Sequence, residues 1–548
     1  MPTGNRAKAA KRREPPAPAP SRRFDATWWW LAALLAALIV AFSPILSNGF
    51  TNWDDPEYVT RNALIQDLGP ASIERMFRAY VLGNYHPVTL LSLALDYRFF
   101  ELDPRGYHAT SLVLHVLVTL LIFTWIALLG GDRASALAVA ALAGLHPMRV
   151  ESVAWIAARK DLLCAFFYLG SLVFYHLYTT RPRGRFAYYS AALAAFLLAL
   201  LSKAMAVTLV PVLVLIDFFE RRPGGRARWL DKIPFAAAAL VFGLVGIDAQ
   251  RASQAISDSA ALPWHERLFL SAYALLVYLG KAVVPFGLSA FHRYPQKPDG
   301  VYPWYVYAAP LVVAGVAVAA WRLLRPRPLA AFGALFFVAN LVLVLQLLPV
   351  GSALIAERYS YLAYPGLLLA LVVPWRGAAG ARGARWVVVL VVCAAAALGM
   401  LTYRRCAVWR DSGTLWSDAL RRYPEGHPIV LYNLASFWVA ENRNQTGALE
   451  LLDRGVDWPR QVQPELQARF LNLRGRLRFN QGSYDAALED YDRAITVSPD
   501  LGELYVNRSF AHFKKREFAL ALADVKRARA LGAPVLETYQ AQLESLAR

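Results

Sequence analysis

The chain has 548 residues, of which 57% are hydrophobic and only 18% are charged, and its mean hydropathy is +0.34. This composition excludes an ordinary soluble protein and a disordered one, and it indicates several membrane-spanning segments. The formal net charge of +19 is typical of arginine-rich cytoplasmic loops in a membrane protein, rather than of a nucleic-acid interface. We therefore expect the lipid bilayer as a partner and no nucleic acid.

The first 26 residues are predicted to form a disordered cytoplasmic tail, because they are basic and rich in Pro and Ala. The next segment, TWWWLAALLAALIVAFSPIL, is long enough to cross a bilayer and lacks the small-residue cleavage site of a signal peptide. It predicts a first transmembrane helix.

Later apolar runs predict ten more crossings, which makes about eleven. They lie near residues 107–130, 134–146, 161–178, 187–201, 205–220, 233–248, 303–323, 328–349, 359–374 and 386–403. The turns then assigned to the cytoplasmic side are rich in arginine, at Arg133 and at residues 181–185, 221–228, 322–328 and 375–385. A crossing at 267–288 would invert the later turns, so we interpret this run as a lateral or re-entrant segment on the outer side.

The sequence becomes charged and helical after residue 403. Arg474 aligns with Arg508 and Ala487 with Ala521, and the offset of 508 − 474 = 34 is the tetratricopeptide period. A looser copy contains Tyr432 and Ala448. The predicted fold is therefore all-α: a transmembrane domain over 27–403, then a tetratricopeptide α-solenoid of about three repeats over 404–548, outside the cytoplasm.

Ionisable residues collect in the predicted outer loops, which include NWDDPEY (52–58) and residues 83–108, 146–161, 202–205 and 356–365. Such groups at a membrane surface are costly unless they pair or line a wet cavity, so they indicate a functional site. Carboxylates can act as general bases, whereas Arg, Lys and His can hold a phosphate. The alternative is that Asp54 and Asp55 only mark the membrane boundary, and that residues 159–161 only begin a helix.

Adjacent acidic residues in a long first outer loop, followed by many crossings, resemble the GT-C glycosyltransferases. YHPVTLLSLALDY, HPMRVESVAWIAARKDLL, LSKAMAVTL and AERYSYLAYPG, followed by repeats, resemble more specifically the transmembrane and tetratricopeptide-repeat O-mannosyltransferase family. Two positions depart from that family's pattern. Ala204 and Met205 follow the Ser-Lys pair where the family has an acidic residue or glutamine, and Arg149 stands where it often has histidine.

The resemblance implies a GT-C fold and an inverting transfer of a hexose, mannose if the eukaryotic relatives are a guide, from a polyprenyl-phosphate carrier to a protein hydroxyl. Asp54 and Asp55 are the catalytic candidates, with Asp55 favoured as the general base. The residues implied to bind the lipid phosphate or the sugar are His86, His146, Arg149, Glu151, Arg159, Lys203, Glu357, Arg358 and Tyr359. We expect no cofactor and no metal, because the histidines lack a tight ligand spacing.

Two other functions remain open on the sequence alone. One is a non-catalytic, membrane-anchored scaffold whose repeats recruit periplasmic partners, and the other is a transporter of lipid-linked sugars. Under the favoured hypothesis the repeats present a protein or peptide acceptor. The Ala- and Arg-rich composition suggests a bacterial inner membrane, with the N-terminus in the cytoplasm and the repeats in the periplasm.

Overall fold

The computed structural model describes residues 27–219, 229–252, 263–347, 353–378, 381–458 and 463–547. The predicted tail and the arginine-rich turn at 221–228 lie outside these ranges, as do two residues of the turn at 375–385. In the part of the chain that the structure describes, the regular elements are helices and the only β-type pairings are two isolated bridges.

The first part of the chain contains fifteen described α-helices. They are α1 Thr27–Phe42, α2 Pro70–Arg78, α3 Pro87–Phe100, α4 Pro104–Leu128, α5 Arg133–Gly144, α6 Val150–Ala154, α7 Arg159–Thr180, α8 Arg185–Ser202, α9 Leu209–Phe219, α10 Ile233–Ala252, α11 Trp264–Val283, α12 Trp304–Leu324, α13 Pro328–Leu341, α14 Ser360–Ala378 and α15 Ala381–Cys406. Proline at the first position of several of them, such as Pro87 and Pro104, fits a helix start because its missing N–H has no intrahelical partner there.

Seven helical segments among the described residues are long and apolar enough to cross a membrane. They are Thr27–Ser47, Pro104–Leu128, Ile156–Thr180, Arg185–Ser202, Leu230–Ala252, Trp304–Leu324 and Arg385–Trp409, and each coincides with a predicted crossing. The other four predicted crossings fall on α5, α9, α13 and α14. The chain is thus a multi-pass membrane protein, while the total of eleven and the lateral placement of α11 stay predictions.

Two glycines allow α13 and α14 to pack with their backbones in contact. A Cβ atom added to Gly333 would lie 2.6 Å from the carbonyl oxygen of Gly366, and a Cβ on Gly366 would lie 2.6 Å from that of Gly333. Small residues at helix contacts are the usual means of close packing in membranes. This contact fixes the start of α14, which directly follows the predicted site residue Arg358.

The second part forms α16 Ser412–Arg422, α17 Pro428–Ala440, α18 Gln445–Val456, α19 Pro464–Asn480, α20 Tyr484–Val497, α21 Gly502–Lys514, α22 Phe518–Ala530 and α23 Glu537–Leu546. Consecutive helices from α17 to α22 form three packed pairs. Arg474 donates to Asp490 at 2.6 Å, and Arg508 donates to Asp524 at 2.6 Å. The acceptors are separated by 524 − 490 = 34 residues, like the donors, so the predicted repeat period is confirmed.

Candidate functional site

The loop that follows the first membrane helix is attached to the repeat domain through Asn52. The backbone N–H of Asn52 donates to Ser412 Oγ at 2.8 Å, and its side-chain amide donates to the carbonyl oxygen of Asn433 at 2.8 Å. Its side-chain oxygen accepts from Trp416 Nε1 at 2.7 Å. These bonds hold residues 52–55 against α16 and α17.

Asp55 is buried and its two carboxylate oxygens are engaged. Oδ2 accepts from the N–H and the hydroxyl of Thr51 at 2.7 and 2.9 Å, and Oδ1 accepts from the N–H of Ala157 at 2.9 Å. The side chain is 1% exposed, and burial raises its pKa from 3.8 to about 6, although the hydrogen bonds oppose this change. Asp55 therefore ties the first loop to the short helical turn that precedes α7.

Asp54 has a different environment from its neighbour. Its side chain is 23% exposed, and its Oδ2 atom lies 3.9 Å from Nζ of Lys160. Lys160 also donates to the Tyr58 hydroxyl at 3.0 Å, and its Nζ lies 4.4 Å from the centre of the Tyr58 ring. The Asp54 carboxylate is thus the reachable one of the pair, with a cation on one side.

Two more cations lie beside Lys160, and we call Lys160, Lys203 and Arg358 the basic cluster. The guanidinium of Arg358 lies 5.2 Å from the Trp155 ring, over which Lys160 also lies at 5.9 Å. Arg358 and Lys203 both face the ring of Tyr359, at 5.0 and 5.4 Å. The shared aromatic contacts show that the three charges converge on one region.

Buried carboxylates hold two of these cations in place. The guanidinium of Arg358 pairs with Glu151, which also accepts from the Arg358 backbone N–H at 3.0 Å, and Lys203 donates to Asp161 at 2.6 Å. Burial opposes the charge of Arg358, but Glu151 outweighs it and raises the pKa of the guanidinium above its usual value. The Arg358 and Lys203 side chains remain partly exposed, so both can still reach an anion.

His86 lies behind the cluster, stacked on Tyr58 with ring centres 5.1 Å apart. It is buried, and its Nε2 atom has no hydrogen-bond partner among the described residues. Burial, together with the charges of Lys160 and Lys203, lowers the pKa of His86 well below its usual value. The imidazole is therefore neutral near pH 7.

Four of the predicted binding residues have their hydrogen-bonding partners elsewhere. Arg159 pairs with Asp96 at 2.8 Å and donates to the Tyr107 carbonyl oxygen at 2.7 Å, so it joins α7 to α3 and α4. Glu357 accepts from the Ser289 N–H at 2.7 Å and lies 3.4 Å from His292 Nε2. Both side chains are buried.

His146 and Arg149 lie between α5 and α14. His146 accepts from the Met148 N–H at 3.2 Å and caps the turn that follows it. Arg149 donates to the Ala143 carbonyl oxygen at 3.0 Å, and its guanidinium lies 5.1 Å from the rings of both Tyr361 and Tyr364. The structure thus brings Asp54, His86, Glu151, Lys203, Arg358 and Tyr359 together, and places Arg159, Glu357, His146 and Arg149 around them in the helical framework.

A cavity of about 790 Å³ separates the first loop from the repeats, and Asp54 lines it. We call this space the loop–repeat cavity. On the loop side its walls include Pro56, Glu57, Arg61 and Leu82. On the other side they come from α17, α19 and the start of α21, with Tyr432, Asn433, Ser436, Arg469, Asn472, Arg476 and Glu503 among them. One carboxylate therefore borders both the basic cluster and a large opening.

Sequence reasoning missed Lys160 and the aromatic residues that frame the cluster. Trp53 stacks on Trp155 with ring centres 4.4 Å apart, and Tyr58 binds Lys160. All four residues lie in motifs that had already been singled out, NWDDPEY and HPMRVESVAWIAARKD. The aromatic residues beside the carboxylates were the available signal.

The fold and these contacts define a helical multi-pass membrane protein with a tetratricopeptide domain bound to its first loop. Residues 475–515 match the family described as TPR repeat. The human protein O-mannosyl-transferase TMTC3 is 30% identical over 155 residues, which cover 27% of this chain and 16% of the relative. The Caenorhabditis elegans protein O-mannosyl-transferase F38B6.6 is 23% identical over 422 residues, covering 72% of this chain and 58% of the relative.

These relatives confirm the resemblance drawn from the motifs, although the chain spans only 16% to 58% of their lengths. Two solved structures are remotely similar. ArnT from Cupriavidus metallidurans bound to undecaprenyl phosphate has 14% identity and a TM-score of 0.38, covering 87% of this chain and 81% of that one. The oligosaccharyltransferase AglB from Archaeoglobus fulgidus, in complex with an inhibitory peptide and a dolichol-phosphate, has 16% identity and a TM-score of 0.42, covering 78% and 59%.

Proposed function

We propose that this protein is a membrane glycosyltransferase that moves a hexose from a polyprenyl-phosphate carrier to a hydroxyl of a protein acceptor. Mannose is the proposed sugar because the relatives are named protein O-mannosyl-transferases. The observation that supports the proposal most is the position of Asp54, which lines the loop–repeat cavity and lies 3.9 Å from Lys160. A carboxylate in that position can face an acceptor hydroxyl on one side and the leaving phosphate on the other.

Asp54 acts as the general base in this proposal. The acceptor oxygen attacks the anomeric carbon while the bond from that carbon to the phosphate oxygen breaks, and the hydroxyl proton passes to the Asp54 carboxylate. The carrier departs as a phosphate anion and needs no proton, so a second acidic residue is dispensable. Asp55, which the sequence favoured, has both oxygens engaged by Thr51 and Ala157. We therefore assign it a positioning role.

The basic cluster holds the phosphate of the donor. Arg358 can offer two guanidinium N–H groups to phosphate oxygens, while Lys160 and Lys203 supply point charges. Glu151 and Asp161 orient two of these cations, and Tyr359 lies between them. A preorganised set of positive charges stabilises the negative charge that grows on the departing oxygen.

The proposed site lies on the extracytoplasmic side, with the repeats. Helix α8 begins at the arginine-rich turn 181–185 and ends at Ser202, beside Lys203 of the cluster. The turn and the site are therefore at opposite ends of one membrane helix. Because arginine-rich turns favour the cytoplasm, the site and the repeats face the other way, into the periplasm if the membrane is a bacterial inner membrane.

The test compares Asp54→Asn with the parent in transfer of mannose from polyprenyl-phosphate mannose to a protein acceptor. Loss of a general base lowers the rate by roughly 10² to 10⁴, while donor binding, measured separately, stays. Glu74→Gln is a suitable control because Glu74 lies on the exposed surface of α2, paired with Arg78.

Transfer by Asp54→Asn at the parental rate would remove Asp54 as the base. If the parent transfers no sugar but its repeats still bind partner proteins, the scaffold function takes the place of the enzyme. Movement of the lipid-linked sugar across vesicles without any transfer would favour the transporter.

A further inference from the structure

We infer that the loop–repeat cavity selects acceptor segments that carry carboxylates close to the hydroxyl that receives the sugar. This inference rests on the proposed function and adds a substrate class to it. It depends on two arginines of α19, Arg469 and Arg476, which line the cavity opposite the first loop.

Arg469 and Arg476 point the same way because they are seven residues apart, which is close to two turns of a helix. Both are exposed, and neither forms an ion pair or a side-chain hydrogen bond within the described ranges. Both also act on the hydroxyl of Tyr432, whose pKa is raised by burial and lowered by the nearby charges of Arg469 and Arg476. The two guanidinium groups therefore border one shared space.

Other arginines of the repeats behave differently. Arg474 pairs with Asp453 and Asp490, and Arg508 pairs with Asp492 and Asp524. These pairs recur with the repeat period and hold neighbouring helices together. Arg469 and Arg476 have no such structural role in the described part of the chain, so their charge is available to a ligand.

The acidic groups of the cavity leave this positive charge in excess. Glu57 pairs with Arg61 at 2.6 Å, and Asp54 faces Lys160. Glu503 accepts a hydrogen bond from the amide of Asn472 at 3.3 Å, and it is the remaining carboxylate among the lining residues. Two unpaired arginines against one carboxylate favour an acidic occupant.

Two asparagines at equivalent positions of successive repeats add sites for a polypeptide backbone. Asn433 and Asn472 both line the cavity, and 472 − 433 = 39 equals the offset of 487 − 448 = 39 between Ala448 and Ala487. A side-chain amide can both donate to and accept from a peptide group. An extended peptide therefore fits this groove chemically.

The spacing of the arginines sets the spacing of the carboxylates. Seven residues of helix rise about 10 Å, at 1.5 Å each. An extended chain covers about 3.3–3.6 Å per residue, so about three residues span the same distance. The best acceptor thus carries two Asp or Glu residues about three positions apart, beside a Ser or Thr.

The experiment measures mannose transfer by the full-length protein to three matched peptides that differ only at those two flanking positions, which are Asp, Asn or Lys. Exposed ion pairs contribute about 0.2–1 kcal/mol each, so replacing both Asp by Asn should raise KM roughly 2- to 25-fold, with kcat little changed. The Lys peptide should have a still higher KM. In the double variant Arg469→Glu with Arg476→Glu the order should invert, so that the Lys peptide has the lowest KM.

The control variant is Arg493→Glu with Arg529→Glu, because these arginines are exposed on α20 and α22, which do not line the cavity. It should keep the parental order of the three peptides. Equal KM values for all three peptides with the parent, or the same response from both double variants, would overturn the inference.

Direct binding of the fluorescently labelled peptides separates this inference from the proposed function. If the parent transfers no sugar but binds the Asp peptide more tightly than the Asn peptide, and only the α19 variant loses that preference, the proposed enzyme function fails and the acidic groove stands. If binding shows no charge preference while transfer proceeds, the enzyme stands and the groove fails.

Discussion

Replacement of Asp55 by Ala should destabilise the protein far more than the same change at Asp54. The Asp55 carboxylate accepts from the backbone N–H groups of Thr51 and Ala157 at 2.7 and 2.9 Å, and Asp55→Ala would leave both buried donors without an acceptor. Each unsatisfied buried donor costs about 1–3 kcal/mol, so the free energy of unfolding should fall by about 2–6 kcal/mol. The side chain of Asp54 is partly exposed, and Asp54→Ala should cost under about 1 kcal/mol.

The assay is denaturant unfolding of the purified protein in detergent, followed by tryptophan fluorescence. Trp53 stacks on Trp155 and lies two residues from Asp55, so the signal reports on this loop. Asp55→Asn should lie between the parent and Asp55→Ala, since its amide oxygen can replace only one of the two carboxylate acceptors. Similar midpoints for Asp55→Ala and Asp54→Ala would refute the structural role of Asp55.

The same residue gives a signed dependence of stability on pH. Folding raises the pKa of Asp55 from 3.8 to about 6, so the folded state binds the proton more tightly than the unfolded state. The contribution of Asp55 to stability is complete below about pH 4 and falls as the pH rises to about 6, by roughly 3 kcal/mol for a change of about two pKa units. The difference between the parent and Asp55→Asn isolates this contribution, and a flat difference between pH 4 and 6 would contradict the argument.

Three further predictions concern the donor site, the helix packing and the topology. Arg358→Ala should weaken binding of polyprenyl-phosphate mannose, and Arg358→Lys should restore it only in part because an ammonium lacks the planar fork; equal donor binding by all three proteins would exclude Arg358 from the site. Gly333→Ala should lower the unfolding midpoint because its Cβ would lie 2.6 Å from a backbone oxygen, whereas Gly315→Ala, with no atom within 4 Å, should not; equal midpoints would contradict this packing. An alkaline phosphatase fused to the C-terminus should be active and a fluorescent protein that folds only in the cytoplasm should be dark, and the reverse result would contradict the odd number of crossings.

The motifs of the sequence predicted which loops form the site, because loops at one end of membrane helices converge regardless of side-chain detail. The sequence did not predict which of two adjacent residues faces the site. Arg159 and Lys160 begin α7, where successive side chains diverge by about 100°. Lys160 therefore joins the basic cluster, while Arg159 faces Asp96.

Partners that are distant in the sequence explain the other differences. Asp96 lies 159 − 96 = 63 residues before Arg159, and the Arg149 guanidinium lies over rings at 361 and 364, more than 200 residues later. No local pattern reports such contacts. The repeat period was predictable because it depends on short, regular spacing, and the same offset of 34 could have paired Arg474 and Arg508 with Asp490 and Asp524 in advance.

The segment Asn52–Asp55 shows how the loop can hold a catalytic group in place. Asn52 is bonded to Ser412, Asn433 and Trp416, and Asp55 is bonded to Thr51 and Ala157. Trp53 stacks on Trp155. Three of the four side chains thus fix the backbone, and Asp54 is the one that lines the loop–repeat cavity.

A group fixed by its neighbours needs little reorganisation when the reaction occurs, which is the usual requirement for an efficient base. The contacts of Asn52 reach the repeat domain and those of Asp55 reach the membrane domain. The position of the proposed base therefore depends on both domains at once. An acceptor held by the repeats would meet Asp54 in a fixed geometry only while the repeats remain docked on this loop, so the docking itself is part of the proposed catalytic arrangement.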